Sequence, residues 1–112
     1  MSYSNSELAR HILDETNFIL EHTKNITKEK VIQDAVLSRA IIRSLEIIGE
    51  ASRKIDHVFK TAHPEIEWRK MSGTRDKLIH DYFGVDFDIV WEIIQEKLPV
   101  LKEQLVKILN SI

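Results

Sequence analysis

Residues 40–55, AIIRSLEIIGEASRKI, decide what kind of fold this chain can make. Apolar side chains recur there every three or four residues, the period of an α-helix and not of a strand. Followed outward, the pattern predicts one long helix from about Lys28 to about Thr61, with Thr27 placed to cap it. One stripe holds Leu37, Ile41, Ile48, Ile55 and Phe59, with Val36, Ala40, Ala51 and Val58 beside it, and reads as an ordinary core face. A second stripe, Val31, Ala35, Ser38, Ile42 and Leu45, lies roughly a third of a turn or more away, at about 100° per residue. A helix apolar on two faces needs two covers. A partner subunit is one candidate cover; the first and last helices of the same chain, wrapped on either side, are the other.

The flanking sequence is helical too. Ser4 and Glu7 have the spacing of a capping box, and Leu8, Ile12 and Ile19 with Ala9, Leu13 and Leu20 make an amphipathic helix from about Asn5 to about His22. TKNITKEK (23–30) turns the chain, and AHPEIEW (62–68) ends the long helix because Pro64 disfavours helical geometry at His63. A short turn is expected near Trp68–Met71. Ser72 or Thr74 then caps a short helix from about Arg75 to Tyr82. Asp86 caps the next helix, whose apolar face is Ile89, Val90, Ile93, Ile94 and Leu98; Pro99 kinks or interrupts it before Val100, Leu101, Leu105, Ile108 and Leu109. The expected fold is all-α: an antiparallel four- to five-helix bundle with a long second helix, forming a single domain over residues 1–112.

Composition narrows the function classes. A hydrophobic fraction of 43% with 30% charged residues suits a globular core and argues against disorder, while three glycines and two prolines are too few for an all-β fold. The net charge of −2 lacks the basic excess of a protein that grips long nucleic acid non-specifically, so any RNA contact must come from a local cluster. With no cysteine there is neither a disulfide framework nor a thiolate metal site. No apolar run approaches a membrane span, and MSYSNSELAR lacks the basic-then-apolar pattern of a signal peptide, so no membrane association is expected and a cytoplasmic location is.

The chemistry concentrates in TRDKLIHDYFG, residues 74–84, where Arg75, His80 and Tyr82 have the spacing R-x4-H-x-Y. On an ideal helix Arg75 and Tyr82 share a face two turns apart, while His80 sits about 140° round from Arg75 and one turn after Asp76. RNA can be cut without metal when its own 2′-hydroxyl attacks the adjacent phosphate. That reaction needs a base, an acid and positive charge on the crowded phosphate. Histidine can serve as base or acid near neutrality, arginine forks onto phosphate oxygens, and a phenol can donate, stack or accept a modification. One such histidine per chain falls short of an acid–base pair; two chains across a two-fold axis supply two. The plainer reading is a half-buried Tyr or His at a helix end, with Arg75 paired to Asp86 or Asp88.

Other features carry less. Glu46 and Glu50 lie four apart with Arg39 and Arg43 on the same face, which predicts an ion-pair ladder rather than a metal site; Glu50 is also placed to orient Arg75. The five histidines lack metal-ligand spacing, and no Gly-rich phosphate loop is present. Arg69, Lys70 and Lys77 flank the motif and form the candidate RNA-binding patch.

R-x4-H-x-Y in the last third of a small helical chain resembles the HEPN family, and within it the HepT-like toxins. AIIRSLEIIGEASRKI is similar to that branch's long-helix segment with its Gly-Glu-Ala step, here Gly49, Glu50 and Ala51. HPEIEWRKMSGTRDKLIHDYFGVDFDIVWEIIQEKLPVLKEQL (63–105) resembles its stretch from the Pro–Trp loop through the motif to the last helices. The resemblance implies a homodimeric, metal-independent ribonuclease toxin without cofactor, from a type VII-like toxin–antitoxin module. It implies Arg75 and His80 as the catalytic pair, and Tyr82 as the residue to which a nucleotidyltransferase antitoxin attaches AMP. Asp76 departs from the asparagine that many relatives carry. Its carboxylate, one turn before His80, favours the protonated imidazole and so an acid role. Two other readings stand beside this one: a non-catalytic HEPN module that binds a nucleotidyltransferase and holds nucleotide or RNA, and a plain helical scaffold.

Overall fold

The computed structural model describes residues 3–78 and 84–112, and its elements are helices. In chain order they are α1 (Asn5–His22), α2 (Lys28–Gln33), α3 (Ala35–Lys54), α4 (His57–Ala62), α5 (Trp68–Ser72), α6 (Thr74–Leu78), α7 (Phe87–Glu92), a π-helical turn (Ile93–Lys97) and α8 (Leu98–Asn110). The all-α bundle expected from the periodicity is what forms.

Local chemistry sets the ends. Ser4 and Glu7 make the capping box that opens α1: the Ser4 hydroxyl accepts from the Glu7 N–H (3.1 Å) and the Glu7 carboxylate from the Ser4 N–H (3.2 Å). Leu8, Ala9, Ile12, Leu13 and Ile19 are buried along one side of α1. Thr16 and Thr23 are buried among them at little cost, because each hydroxyl donates to a carbonyl four residues back, Ile12 and Ile19, at 2.8 Å. Asn25, with φ 61°, turns the chain in a left-handed conformation that asparagine tolerates.

The long second helix is divided, which corrects the expected continuous run from Lys28 to Thr61. Asp34 breaks it once. Its carboxylate accepts from the Val36 and Leu37 N–H groups (3.1 and 2.9 Å), and this competes with the helical path through residue 34. The second break falls at Ile55–Asp56. Asp56 caps α4 through the Phe59 N–H (2.9 Å) and exchanges hydrogen bonds with the Asn5 side chain (2.9 and 3.2 Å), fastening the start of α1 to the end of α3. The Asn5 amide, then the Phe59 N–H, hold the Asp56 carboxyl below its ordinary pKa.

Dividing the helix changes what the two stripes mean. Ile41, Ile48, Ala51 and Ile55 enter the core as expected, but Val36 and Val58 are exposed: Val58 lies past the second break on α4, and Val36, on α3 itself, sits about 120° round from Ile48 at about 100° per residue. Of the second stripe, Val31 and Leu45 are buried and Ile42 half-buried. The cover comes from within this chain: α1 packs against α3 and α8, and α2 against α3 and α7. The second stripe therefore needs no partner subunit to explain it.

Pro99 neither ends nor breaks the last helix. Proline has no N–H to return to the carbonyl four residues before it. The chain absorbs this in the π-turn, where the Leu98 N–H donates five residues back to the Ile93 carbonyl. The apolar face continues through Val90, Ile94, Leu98, Leu101, Leu105 and Ile108, all buried. Among the described residues no helix is long and apolar enough to cross a membrane.

Candidate active site

Arg75, the first residue of the motif, lies on α6, and α6 packs against α3. The preceding α5 meets α3 at Gly49, where a Cβ would lie 3.0 Å from the backbone oxygen of Met71 near the end of α5. That oxygen also accepts the Gly73 N–H at the α5 C-cap, so it is not free to retreat. One residue after Ala51, Ser52 is fully buried. Its hydroxyl donates to the Gly49 carbonyl (2.9 Å) and lies 3.4 Å from the Ser72 hydroxyl. Arg53 Nη2 donates to the Ser72 carbonyl (3.2 Å). The Gly-Glu-Ala step thus marks the notch in α3 that receives the α5–α6 junction.

Gly49→Ala tests the notch. Alanine is the better helix former by about 1 kcal/mol, but overpacking against backbone costs about 1–3 kcal/mol. A net loss of stability of about 1 kcal/mol is expected from denaturant unfolding. A gain would show that the α5–α6 junction yields.

Neither hydroxyl expected to cap α6 turns toward it. Ser72 donates back to the Trp68 carbonyl (3.0 Å) and Thr74 to the Lys70 carbonyl (2.9 Å), so α6 follows α5 through Gly73 with little break. Arg75 is the second residue of α6, and buried Leu78 fastens its end to the core. The Leu78 carbonyl accepts the Asp86 N–H (2.9 Å), which ties the end of α6 to the residue that caps α7. His80 and Tyr82 belong to that segment and lie outside the described residues.

Two cavities flank α6. A depression of about 820 Å³ is lined by Asp76, Ser72, Glu50, Arg53 and Arg43 with Tyr3 and His11 from the start of α1. It brings the two expected supporting residues, Glu50 and Asp76, to one place beside Arg75. A second cavity, about 530 Å³, lies toward α7 and α8 and takes Lys70 and Lys77 in its lining. Arg69 lines neither and is exposed on α5. The three flanking cations are therefore spread, and Lys70 is engaged. Its ammonium is 2.7 Å from Glu67, whose other oxygen is 3.7 Å from Lys97. The hydrogen bond and charge of Glu67 raise the Lys70 pKa, and Lys70 in turn is the main cause lowering that of Glu67.

On α3, Arg39 reaches the Ala35 carbonyl (3.5 Å), and among the described residues no ion pair joins Arg39 or Arg43 to Glu50. Asp88, a candidate partner for Arg75, pairs with Lys28 at 2.7 Å, and Asp86 caps α7 through the Asp88 and Ile89 N–H groups. Arg53 was not singled out from the sequence. Its one signal there was the position two residues after Ala51, on a helix end rich in cations. Among the described residues no group of three or more His, Asp or Glu side chains is arranged to hold a metal ion.

A helical bundle carrying R-x4-H-x-Y from α6 toward α7 defines a protein of the HEPN class. Within that class the chain belongs to the HepT-like ribonuclease family, whose model, described as "Ribonuclease HepT-like", matches residues 12–108. The chain is 46% identical to "Putative RNase TTE0752" of Caldanaerobacter subterraneus subsp. tengcongensis, over 90% of each chain. It is 44% identical to "Probable ribonuclease HepT" of Thermococcus cleftensis, over 96% of this chain and 98% of the relative. It is 42% identical to "Putative RNase MJ1380" of Methanocaldococcus jannaschii, over 83% of this chain and 85% of the relative. No solved structure matches the chain.

Proposed function

We propose that this chain is a metal-independent endoribonuclease, the cytoplasmic toxin of a type VII-like toxin–antitoxin module, silenced when a nucleotidyltransferase antitoxin adds AMP to Tyr82. The observation that carries the reading is the sequence motif R-x4-H-x-Y, opening at Arg75 on α6, in a chain 44% identical to a relative named as a ribonuclease.

The 2′-hydroxyl of the RNA attacks the adjacent phosphorus and gives its proton to one imidazole. Arg75 holds the non-bridging oxygens as charge builds on them. The P–O5′ bond breaks, and the departing oxygen takes a proton from an imidazolium. The products are a 2′,3′-cyclic phosphate and a 5′-hydroxyl, so no water is consumed and no metal is required. Each chain supplies one His80, so the acid and the base come from the two halves of a homodimer. AMP on Tyr82 places a phosphodiester where it competes for Arg75 and a nucleoside in the RNA path.

The purified protein should cut single-stranded RNA in EDTA and leave cyclic-phosphate ends. No cleavage by a folded dimer would favour the non-catalytic binding module. Mass spectrometry of the chain co-expressed with its antitoxin should find AMP on Tyr82. A silenced toxin with AMP on Tyr3, or on no residue, would mean that inhibition works by partner binding instead.

A further inference from the structure

The depression beside α6 has a lining suited to a nucleotide. Arg53 stands at the C-terminal end of α3 with an exposed guanidinium. One of its five donors is spent on the Ser72 carbonyl, and it makes no other hydrogen bond among the described residues. Ser72 precedes Arg75 by three residues, so this bond fixes the guanidinium relative to the motif helix. A guanidinium anchored on one side and open on the other is prepared to fork onto a phosphate with little further loss of freedom. Lys54 lies next to it on the same rim and makes no hydrogen bond or ion pair among the described residues.

The other walls fit the rest of a nucleotide. Asn5 and Asp56 tie the start of α1 to this end of α3, bringing in Tyr3 and His11, whose rings meet edge to face with centroids 4.9 Å apart. Tyr3 is 52% exposed, an aromatic surface on which a base can stack. Glu50 and Asp76 also face the depression and oppose a second phosphate, while they can accept from the exocyclic amino groups of a base. The mixture suits one nucleotide, not a polyanionic tract.

We propose that this depression is a subsite for the nucleotide next to the scissile bond, with Arg53 holding its phosphodiester and Tyr3 stacking on its base. The assignment rests on the ribonuclease reading for the place of that nucleotide in the reaction, but its binding test does not require cleavage. A fluorescent 2′-O-methyl oligoribonucleotide, which lacks the attacking hydroxyl, is titrated with the full chain over a range of salt. Arg53→Gln should weaken binding about tenfold, the loss of one charge-assisted hydrogen-bonding group. It should also flatten the slope of log K against log salt by about 0.7, one phosphate contact on a single strand. Arg53→Lys should restore the slope and part of the affinity. Tyr3→Ala should weaken binding at least fivefold or so without changing the slope.

Unchanged affinity in Arg53→Gln and Tyr3→Ala would overturn the subsite. So would weakened binding in Arg53→Gln with an unchanged slope, since Arg53 would then act only by holding α5. If Arg53→Gln does not fold, Tyr3→Ala decides, and wild-type affinity there overturns the assignment. Wild-type protein that binds the oligonucleotide but leaves unmodified RNA intact would remove the ribonuclease reading and leave the subsite standing. Cleavage without any measurable binding of the oligonucleotide would do the reverse.

Discussion

His80→Ala is expected to lower RNA cleavage by about 10²- to 10⁴-fold, the usual worth of a positioned proton-transfer group. Arg75→Ala should cost about 10²- to 10³-fold, because charge developing on the phosphate then loses its fixed counter-charge. Both variants should keep their helical signal, since buried Leu78 fastens the end of α6 to the core. A mixture of the two variants tests how the site is shared. If one site takes Arg75 from one chain and His80 from the other, mixed dimers regain one intact site. If each cleavage needs both His80 residues, mixing restores nothing. Sedimentation of a monomer at micromolar concentration, with full activity, would remove the dimer from the mechanism. If the i, i+4 spacing pairs Asp76 with His80, Asp76→Asn should move the His80-dependent limb of the pH–rate profile to lower pH, since a nearby carboxylate favours a protonated imidazole. A profile that stays in place would show that Asp76 and His80 do not interact. Cleavage by His80→Ala at the wild-type rate would take that residue out of the chemistry.

Trp68→Ala should have the largest effect on stability, about 3–5 kcal/mol, as for other buried large aromatics. Trp68 is buried at the head of α5, its ring edge to face with Phe59 (centroids 6.2 Å), and its Nε1 donates to the His63 carbonyl at 2.9 Å. This one side chain closes the Pro64 loop and fixes where α5, and then α6, begin. In a domain whose whole stability is about 5–15 kcal/mol, that loss leaves little margin. Trp68→Phe keeps most of the apolar area and should cost only about 1 kcal/mol more than the lost area, for the missing hydrogen bond. The His63 carbonyl retains a long contact from the Ile66 N–H (3.4 Å). Hydrogen exchange should show residues 66–78 opening first in the alanine variant. Equal loss of protection across α1 and α8 would mean that Trp68 supports the whole core and not the seating of the motif.

Most of the fold was legible because helix ends are local chemistry. The Ser4–Glu7 box, Thr27, Asp86 and Pro64 act through atoms within four residues, and each did in the structure what its spacing implied. Asp34 and Asp56 carry the same kind of signal, and the strong periodicity around them hid it. A period counts apolar positions as though the helix were unbroken. It therefore put Val58 on a core face from which the second break removes it. The π-turn before Pro99 was not legible, since the missing N–H can be absorbed by a kink, a break or a wider turn.

By itself the sequence determined the helical class, the motif Arg75–His80–Tyr82 and the family, because periodicity and spacing are properties of the chain alone. Which cations stand together was decided only by the tertiary structure. Lys70 is near the motif in sequence yet bound to Glu67, while Arg53, 22 residues before Arg75, reaches the backbone of the motif's own approach. The reason is the packing of α3 against α5 at Gly49. An approach so close that an added Cβ would lie 3.0 Å from the Met71 oxygen is set by the whole bundle closing, and no local pattern encodes it.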